Sequence, residues 1–278
     1  MNTRSSVHEW IRSVVLLVML LVLPQACAAQ DRTVAERGAD LEAAMWTGET
    51  EHAKEILDSG PIPETNSENL CWIQAAVTLN QSDLIEPLAE AGVDIDCEDA
   101  HMTALQYAVF YNRYQSAEAL IHSGADVNAG IDEPDSTPPI IHAVQEYVAR
   151  RVRGEDASDA EHLVRLLLQN GADPNVLEKP DAPSKLCIAA EQGQTEMVRL
   201  LIDSGALVNQ VTDEGPNTPG VTALECALLR KDSNLETVQA LLYAGADPTA
   251  GPHADKLLEK AEQNLPNAVP LLKQYGAK

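Results

Sequence analysis

One pattern recurs along most of this chain and constrains its fold more than any other feature. The clearest copy is Thr103–Asn128: an apolar helical stretch, a turn, a second apolar helical stretch, then Gly-Ala-Asp. Its leading apolar residue, Leu105, recurs as Leu41, Ile73, Ile140, Leu186, Leu224 and Leu257. A glycine closes each copy: Gly60, Gly92, Gly124, Gly171, Gly205, Gly245 and Gly276. In five of the seven copies the glycine lies 19 positions after the leading residue; the spacing is 31 in the fourth and 21 in the sixth. Recurrence about every 33 residues is the signature of a stacked array. Such an array is one continuous core however long it grows, so 278 residues do not imply several domains.

Within a copy the apolar residues keep helical spacing. Leu186, Ala189 and Ala190 lie at i, i+3 and i+4, one face of a short first helix. Small alanines there let neighbouring copies approach. Met197, Val198, Leu200, Leu201 and Ile202 make the second helix apolar over a wide face, which predicts burial on both sides. Gly205 suits the left-handed residue that ends a helix. The segments that follow, such as 210–219, are rich in Asp, Gly, Pro and Asn and read as turns or hairpin fingers. No copy can hide its apolar faces alone, so each needs a neighbour. The array is expected over residues 39–278, in units near 39–68, 69–100, 101–135, 136–181, 182–219, 220–252 and 253–278. The longer fourth spacing places extra residues near Val148–Asp159, read as an extended first helix followed by a loop.

The leading segment reads differently. Arg4 and Arg12 precede the apolar run Val14–Leu23, Pro24 breaks it, and Ala26-Cys27-Ala28-Ala29 follows. A basic start, a short apolar run and an A-x-A site describe a secretory signal peptide over residues 1–28. The run is about half the ~20 residues that a spanning helix needs. Cys27 offers a rival reading as a lipidated N-terminus, though only Ala26 fits the usual residues before such a cysteine. The expectation is export, to a bacterial periplasm or the outside of the cell, with a lipid anchor at Cys27 as the alternative.

Charge narrows the partners. The formal net charge is -24. Without residues 1–28, which hold Arg4, Arg12 and Glu9, the 19 basic residues become 17 and the 43 acidic ones 42, a balance of -25. Such a surface repels phosphate backbones and anionic membranes and steers a basic protein toward it.

The repeated unit resembles the ankyrin repeat. The residues that carry the likeness are T-A-L-x-x-A at Thr103–Ala108 and Thr222–Ala227, and G-A-D at Gly124–Asp126, Gly171–Asp173 and Gly245–Asp247. The family's T-P-L-H is nowhere complete, and unit one has Gly60-Pro61-Ile62 in place of G-A-D. The resemblance implies an all-α solenoid of about seven helix-turn-helix units with short hairpin fingers. It also implies a concave binding surface built from finger tips and the exposed side of each first helix.

On that surface the fifth and sixth residues after each leading position should face outward. The first three units place Trp46, Leu79, Phe110 and Tyr111 there, where a solvated helix would carry polar groups. With Asp99 and Met102 of the finger between units two and three, these are the candidate partner-binding residues. Exposed neighbouring aromatics are the usual composition of binding hot spots, provided that neither insertions nor the segment Asp31–Asp40 cover them. Asp94, Asp96, Glu98, Asp99, Asp132, Glu133, Asp135, Glu178, Asp181, Asp213 and Glu214 make the fingers acidic. An acidic rim around an apolar patch gives speed and selectivity toward a basic partner. Asp94-x-Asp96-x-Glu98 lacks the Gly and final Glu of a calcium loop.

Export would permit disulfides. Cys71 and Cys97 lie on the loop side of one unit and are candidates for a bridge. Cys187 and Cys226, on helices about one repeat apart, are expected to serve as small core residues. There is no C-x-x-C, H-E-x-x-H or G-x-S-x-G, and no phosphate loop. His142, on a first helix, is expected to be packed or partly exposed rather than catalytic. No metal, cofactor or catalytic set is assigned. The functional expectation is a non-enzymatic, exported scaffold that binds another protein. Its alternatives are an immunity protein (antidote) that neutralises a basic secreted toxin, or an envelope chaperone or organiser of a stress-related enzyme.

Overall fold

The computed structural model describes residues 32–99, 102–131, 136–178, 182–211, 220–231 and 234–278. The leading segment with Cys27, and the finger acids Asp132, Glu133, Asp135, Asp181, Asp213 and Glu214, lie outside the described residues. Fourteen α-helices form seven consecutive hairpins among the described residues. They are α1 (Val34–Thr47) with α2 (Thr50–Asp58), α3 (Trp72–Thr78) with α4 (Ile85–Glu90), and α5 (Ala104–Phe110) with α6 (Tyr114–His122). Then follow α7 (Pro139–Arg153) with α8 (Ser158–Gln169), and α9 (Lys185–Glu191) with α10 (Thr195–Asp203). Last come α11 (Ala223–Cys226) with α12 (Leu235–Tyr243), and α13 (Leu257–Asn264) with α14 (Val269–Gln274). The fold is the all-α solenoid that the repeat implied.

The residues dictate these elements locally. Thr103 and Thr222 cap α5 and α11 through reciprocal boxes with Gln106 and Glu225, and Ser184 caps α9 by accepting from Cys187 N–H. Lys185 fills the first helical position beside that cap and is buried. Desolvation lowers its pKa to about 8, and its ammonium donates to the Val176 carbonyl. The seventh residue after the leading one turns the chain between helices in left-handed conformation. It is Gly48, Asn80, Asn112 or Gly193, with φ between 55° and 75°. Asn is the side chain that best tolerates that region where Gly is absent. Unit four skips this turn: α7 runs on to Arg153 and stops at Gly154.

The closing glycines of units two to seven have φ between 90° and 98°. Each lets the next residue's N–H reach back into the helix: Ala125 to Leu120 O (3.0 Å), Ala172 to Leu167 O (3.0 Å), Ala246 to Leu241 O (2.9 Å). In unit one Pro61 has no N–H to give, and Arg37 instead donates to the Pro61 carbonyl at 2.7 Å.

Stacking completes the core. First helices α3, α5, α7, α9 and α11 lie side by side in order, as do α4, α6 and α8 behind them. The third residue after the leading one is a buried alanine in six units: Ala44, Ala76, Ala108, Ala143, Ala189 and Ala227. A larger side chain there would push the helices apart.

Two ladders set the spacing. On the finger side, Asn128 accepts from Asp173 N–H (2.9 Å) and donates to Gly171 O (3.0 Å). Asn175 does the same toward Leu207 and Gly205, and Asn209 toward Asp247 and Gly245. At the other end, Gln81 donates to Met45 O (2.7 Å), Arg113 to Val77 O and Asn264 to Leu228 O (2.8 Å), each tying a unit to the helix before it. Asp96 holds the Asn place in unit two. It accepts from Asp126 N–H (2.9 Å) but as a carboxylate has no hydrogen for the Gly124 carbonyl. Partial burial pushes its carboxyl up, the bond from Asp126 N–H opposes this, and the Asp126 and Asp94 carboxylates reinforce the rise.

Two disulfides cross-link the array. Cys71, the residue before α3, is bridged to Cys97 of the following finger. Cys187 and Cys226 are also bridged, with Cα atoms 5.4 Å apart, which corrects the reading of both as free core residues. The reason is the stacking offset: the first residue after one leading position faces the second residue after the next. This bond fastens α11, at four residues the shortest first helix, to its neighbour.

Replacing Cys187 and Cys226 together by Ala opens a loop spanning 39 residues of separation. By the chain-entropy estimate this costs about 4 kcal/mol. Urea unfolding should show the loss, and amide exchange should localise it to α9 and α11. Asp96→Asn should act oppositely, adding about 1 kcal/mol at pH 7 by supplying the missing donor. A raised folded pKa means the folded state binds the proton more tightly, so wild-type stability falls as pH rises through that window. The gain in thermal midpoint from Asp96→Asn should therefore shrink as the pH is lowered toward 4.

Candidate functional site

The first helices end in the positions singled out from the sequence, and the structure leaves them open. Trp46 is 62% exposed, Phe110 53% and Tyr111 52%, while Leu79 is half-buried against the core. The residues 34–40 do not cover Trp46; they form the first two turns of α1, which starts at a capping box on Thr33. The corresponding residues of the later units are mainly polar, Gln145, Glu146, Glu191, Gln192, Glu262 and Gln263, with Leu229 and Arg230 in unit six.

The candidates fall in three places. Trp46 and Leu79 face one another across a cleft between α1 and α3, with Leu70 of the first finger beside them and Glu42 and Glu68 at its edge. Phe110 and Tyr111 belong to an aromatic cluster at the ends of α5 and α7. Their rings are 5.1 Å apart; Tyr107 lies 4.5 Å from Tyr111, and His142 packs edge-on against Phe110 at 5.3 Å. Asp99 and Met102 pair across the two-residue strands β1 (Glu98–Asp99) and β2 (Met102–Thr103) of the second finger. Met102 is half-buried, and of Asp99 only the backbone is described.

Tyr107 and His142 were missed by counting outward-facing positions. Each is the second residue after its leading position, and His142 reaches Phe110, the fifth residue after the leading one of the unit before. Two aromatic residues in one register of adjacent repeats were the available signal. Burial lowers the His142 pKa below the ordinary histidine value, against the upward pull of Glu178. The ring is therefore neutral at pH 7, and the cluster is an uncharged aromatic surface beside a carboxylate. Gln145 holds that carboxylate at 3.1 Å. Edge-to-face ring contacts of this kind contribute about 0.5–1.5 kcal/mol each beyond burial.

The basic stretch of unit four is spent internally. Arg150 pairs with Glu146, Arg153 with Glu155, and Arg151 donates to Gln194 of unit five. Asp94 and Asp96 likewise spend carboxylate oxygens on finger amides. Among the described residues no three His, Cys, Asp or Glu side chains converge as metal ligands, and no helix is long and apolar enough to cross a membrane.

Comparison with known proteins agrees with this architecture. The family model described as ankyrin repeats (3 copies) matches residues 41–131 and 156–251, and the chain belongs to that family. An ankyrin repeat and KH domain-containing protein of Caenorhabditis briggsae is 39% identical over 83 residues, 30% of this chain and 3% of that protein. This chain therefore spans a small fraction of that relative. Among solved structures, an ankyrin repeat domain from Acinetobacter baumannii is 30% identical, with a TM-score of 0.58, and the match covers 74% of this chain and 98% of that one. The ankyrin repeat domain of Bcl-3 is 23% identical with a TM-score of 0.63, and the match covers 84% and 97%. That of human ASB11 is 19% identical with a TM-score of 0.56, covering 84% and 96%. These last two share the fold alone. Ankyrin repeats are generally non-enzymatic modules that bind other proteins.

His142 reports on the aromatic cluster. A lowered histidine pKa means the unfolded chain binds the proton more readily, so this group's contribution to stability is lost as pH falls below the ordinary value. NMR titration of the ring should give a midpoint below 6.5, and Phe110→Ala, by admitting water, should move it upward.

Proposed function

We propose that this chain is an exported scaffold that grips a basic protein along the first-helix flank of units one to four. The observation that carries the reading is the run of exposed apolar side chains Trp46, Phe110 and Tyr111, with Leu79 between, at successive first-helix ends. Solvated helix ends gain nothing from such residues, whereas buried aromatic anchors dominate binding energies. The flank continues into the Gln and Glu positions of units four, five and seven. That gives a partner an apolar half and an acidic half to match, and fixes its direction.

Export has separate support. All four cysteines after Cys27 are paired, which is the condition expected in an oxidising compartment. With the basic, apolar and A-x-A order of residues 1–28, this favours a periplasmic or extracellular protein. The mass of the exported product distinguishes cleavage after Ala28 from lipidation at Cys27. An antidote that masks a basic toxin is the sharper form of the proposal, favoured by the balance of -25 after residue 28. An envelope chaperone or organiser would use the same flank for a resident enzyme.

The oxidised chain, immobilised and challenged with envelope extract, should retain a specific basic protein even at high salt. The double variant Phe110→Ala/Tyr111→Ala should retain its fold by circular dichroism and bind that protein at least tenfold more weakly, as loss of a hot-spot pair implies. Equal retention by the variant would remove the flank as the binding surface.

A further inference from the structure

Unit one differs from the rest in how it meets its neighbour. Helices α1 and α3 approach less closely than the first helices of the middle units, because the first finger lies between them. Pro63 of that finger packs onto α1 where Gly38 has no side chain; a Cβ there would lie 2.6 Å from the proline ring. The Pro63 carbonyl accepts from the Trp72 indole at 2.7 Å, and Glu42 accepts from Ser67 N–H (3.1 Å) and Oγ (2.6 Å). The finger closes as a hairpin, Thr65 pairing with Cys71, and Cys71 is bridged to Cys97 of the second finger. Its position is thus set before any partner arrives, which lowers the ordering cost of binding.

The result is a narrow open cleft. Met45, Trp72 and Ala75 form its floor, Trp46, Leu79 and Leu70 its walls, and its free volume is about 60 Å³. Apolar cavities that take a benzene ring measure about 150 Å³, so this cleft suits an aliphatic side chain rather than an aromatic one. Its electrostatic setting is one-sided. Between Lys54 and Arg113 the chain carries eleven Asp and Glu and no Lys or Arg. Glu68 is exposed at the edge of the cleft and Glu64 on the same finger.

We propose that this cleft is an anchor subsite for a single Leu or Met side chain borne by a Lys/Arg-rich segment of the partner. The apolar side chain displaces water from the floor, and the flanking cations meet the carboxylates of the fingers. The proposal rests on the protein-binding reading and adds which side chain is read, and where.

The probes are synthetic nonapeptides with Lys on both sides of a central Leu, Met, Ala or Trp, and a Leu peptide with Glu in place of Lys. The reporters are the indole N–H resonances of Trp46 and Trp72 in the oxidised full chain. The Lys peptides with Leu or Met should shift both resonances saturably, and the Ala and Trp peptides should bind at least tenfold more weakly. The Glu peptide should leave both resonances unmoved. Leu79→Ala should weaken the Leu peptide by a similar factor while Trp72 keeps its own bond to Pro63, read from its unshifted resonance in the free variant. Lys peptides that leave both indoles unmoved, or bind alike whatever the central residue, overturn the subsite. If they instead perturb His142 and the Tyr107 and Tyr111 rings, the protein-binding flank stands and only the cleft assignment falls.

Discussion

The side-by-side approach of first helices is the constraint on which the rest depends. A helix of seven residues and a partner of nine cannot shield their apolar faces from water, so every hairpin borrows one wall from its neighbour. The buried alanine at the same place in six units makes the approach close enough. With Ala76, Ala108 and Ala143 at the contact, the leading residues Ile73, Leu105 and Ile140 are sealed almost completely. Stability then accumulates along the array rather than in a centre.

Close stacking also decides what faces outward. The Asn ladder ties units three to six at the finger side, and the Gln81, Arg113 and Asn264 bonds tie units one to three and six to seven at the other end. In this stacking the helix ends leave Trp46, Phe110 and Tyr111 exposed, with Leu79 half-buried between them. Their exposure is a consequence of the register. The same register brings His142 onto Phe110, so the aromatic surface reaches unit four without an aromatic residue at that unit's own outward positions.

The two cross-links tie neighbouring parts of the array together covalently. One ties α11, the shortest first helix, to α9, against which it is already closely packed. The other secures the first finger, which separates α1 from α3 and leaves the cleft between them.

Much of this was legible along the chain because it is local. The helix pairs, the left-handed glycines and the outward place of Phe110 and Tyr111 depend on residues within one unit. Period and spacing report those directly. The bond between Cys187 and Cys226, the contact of His142 with Phe110 and the cleft under Trp46 involve residues of different units. Sequence gives their separation along the chain but not the sideways offset of one helix against the next. That offset is set by side-chain volumes at the stacking face, and it exists only once the hairpins have packed.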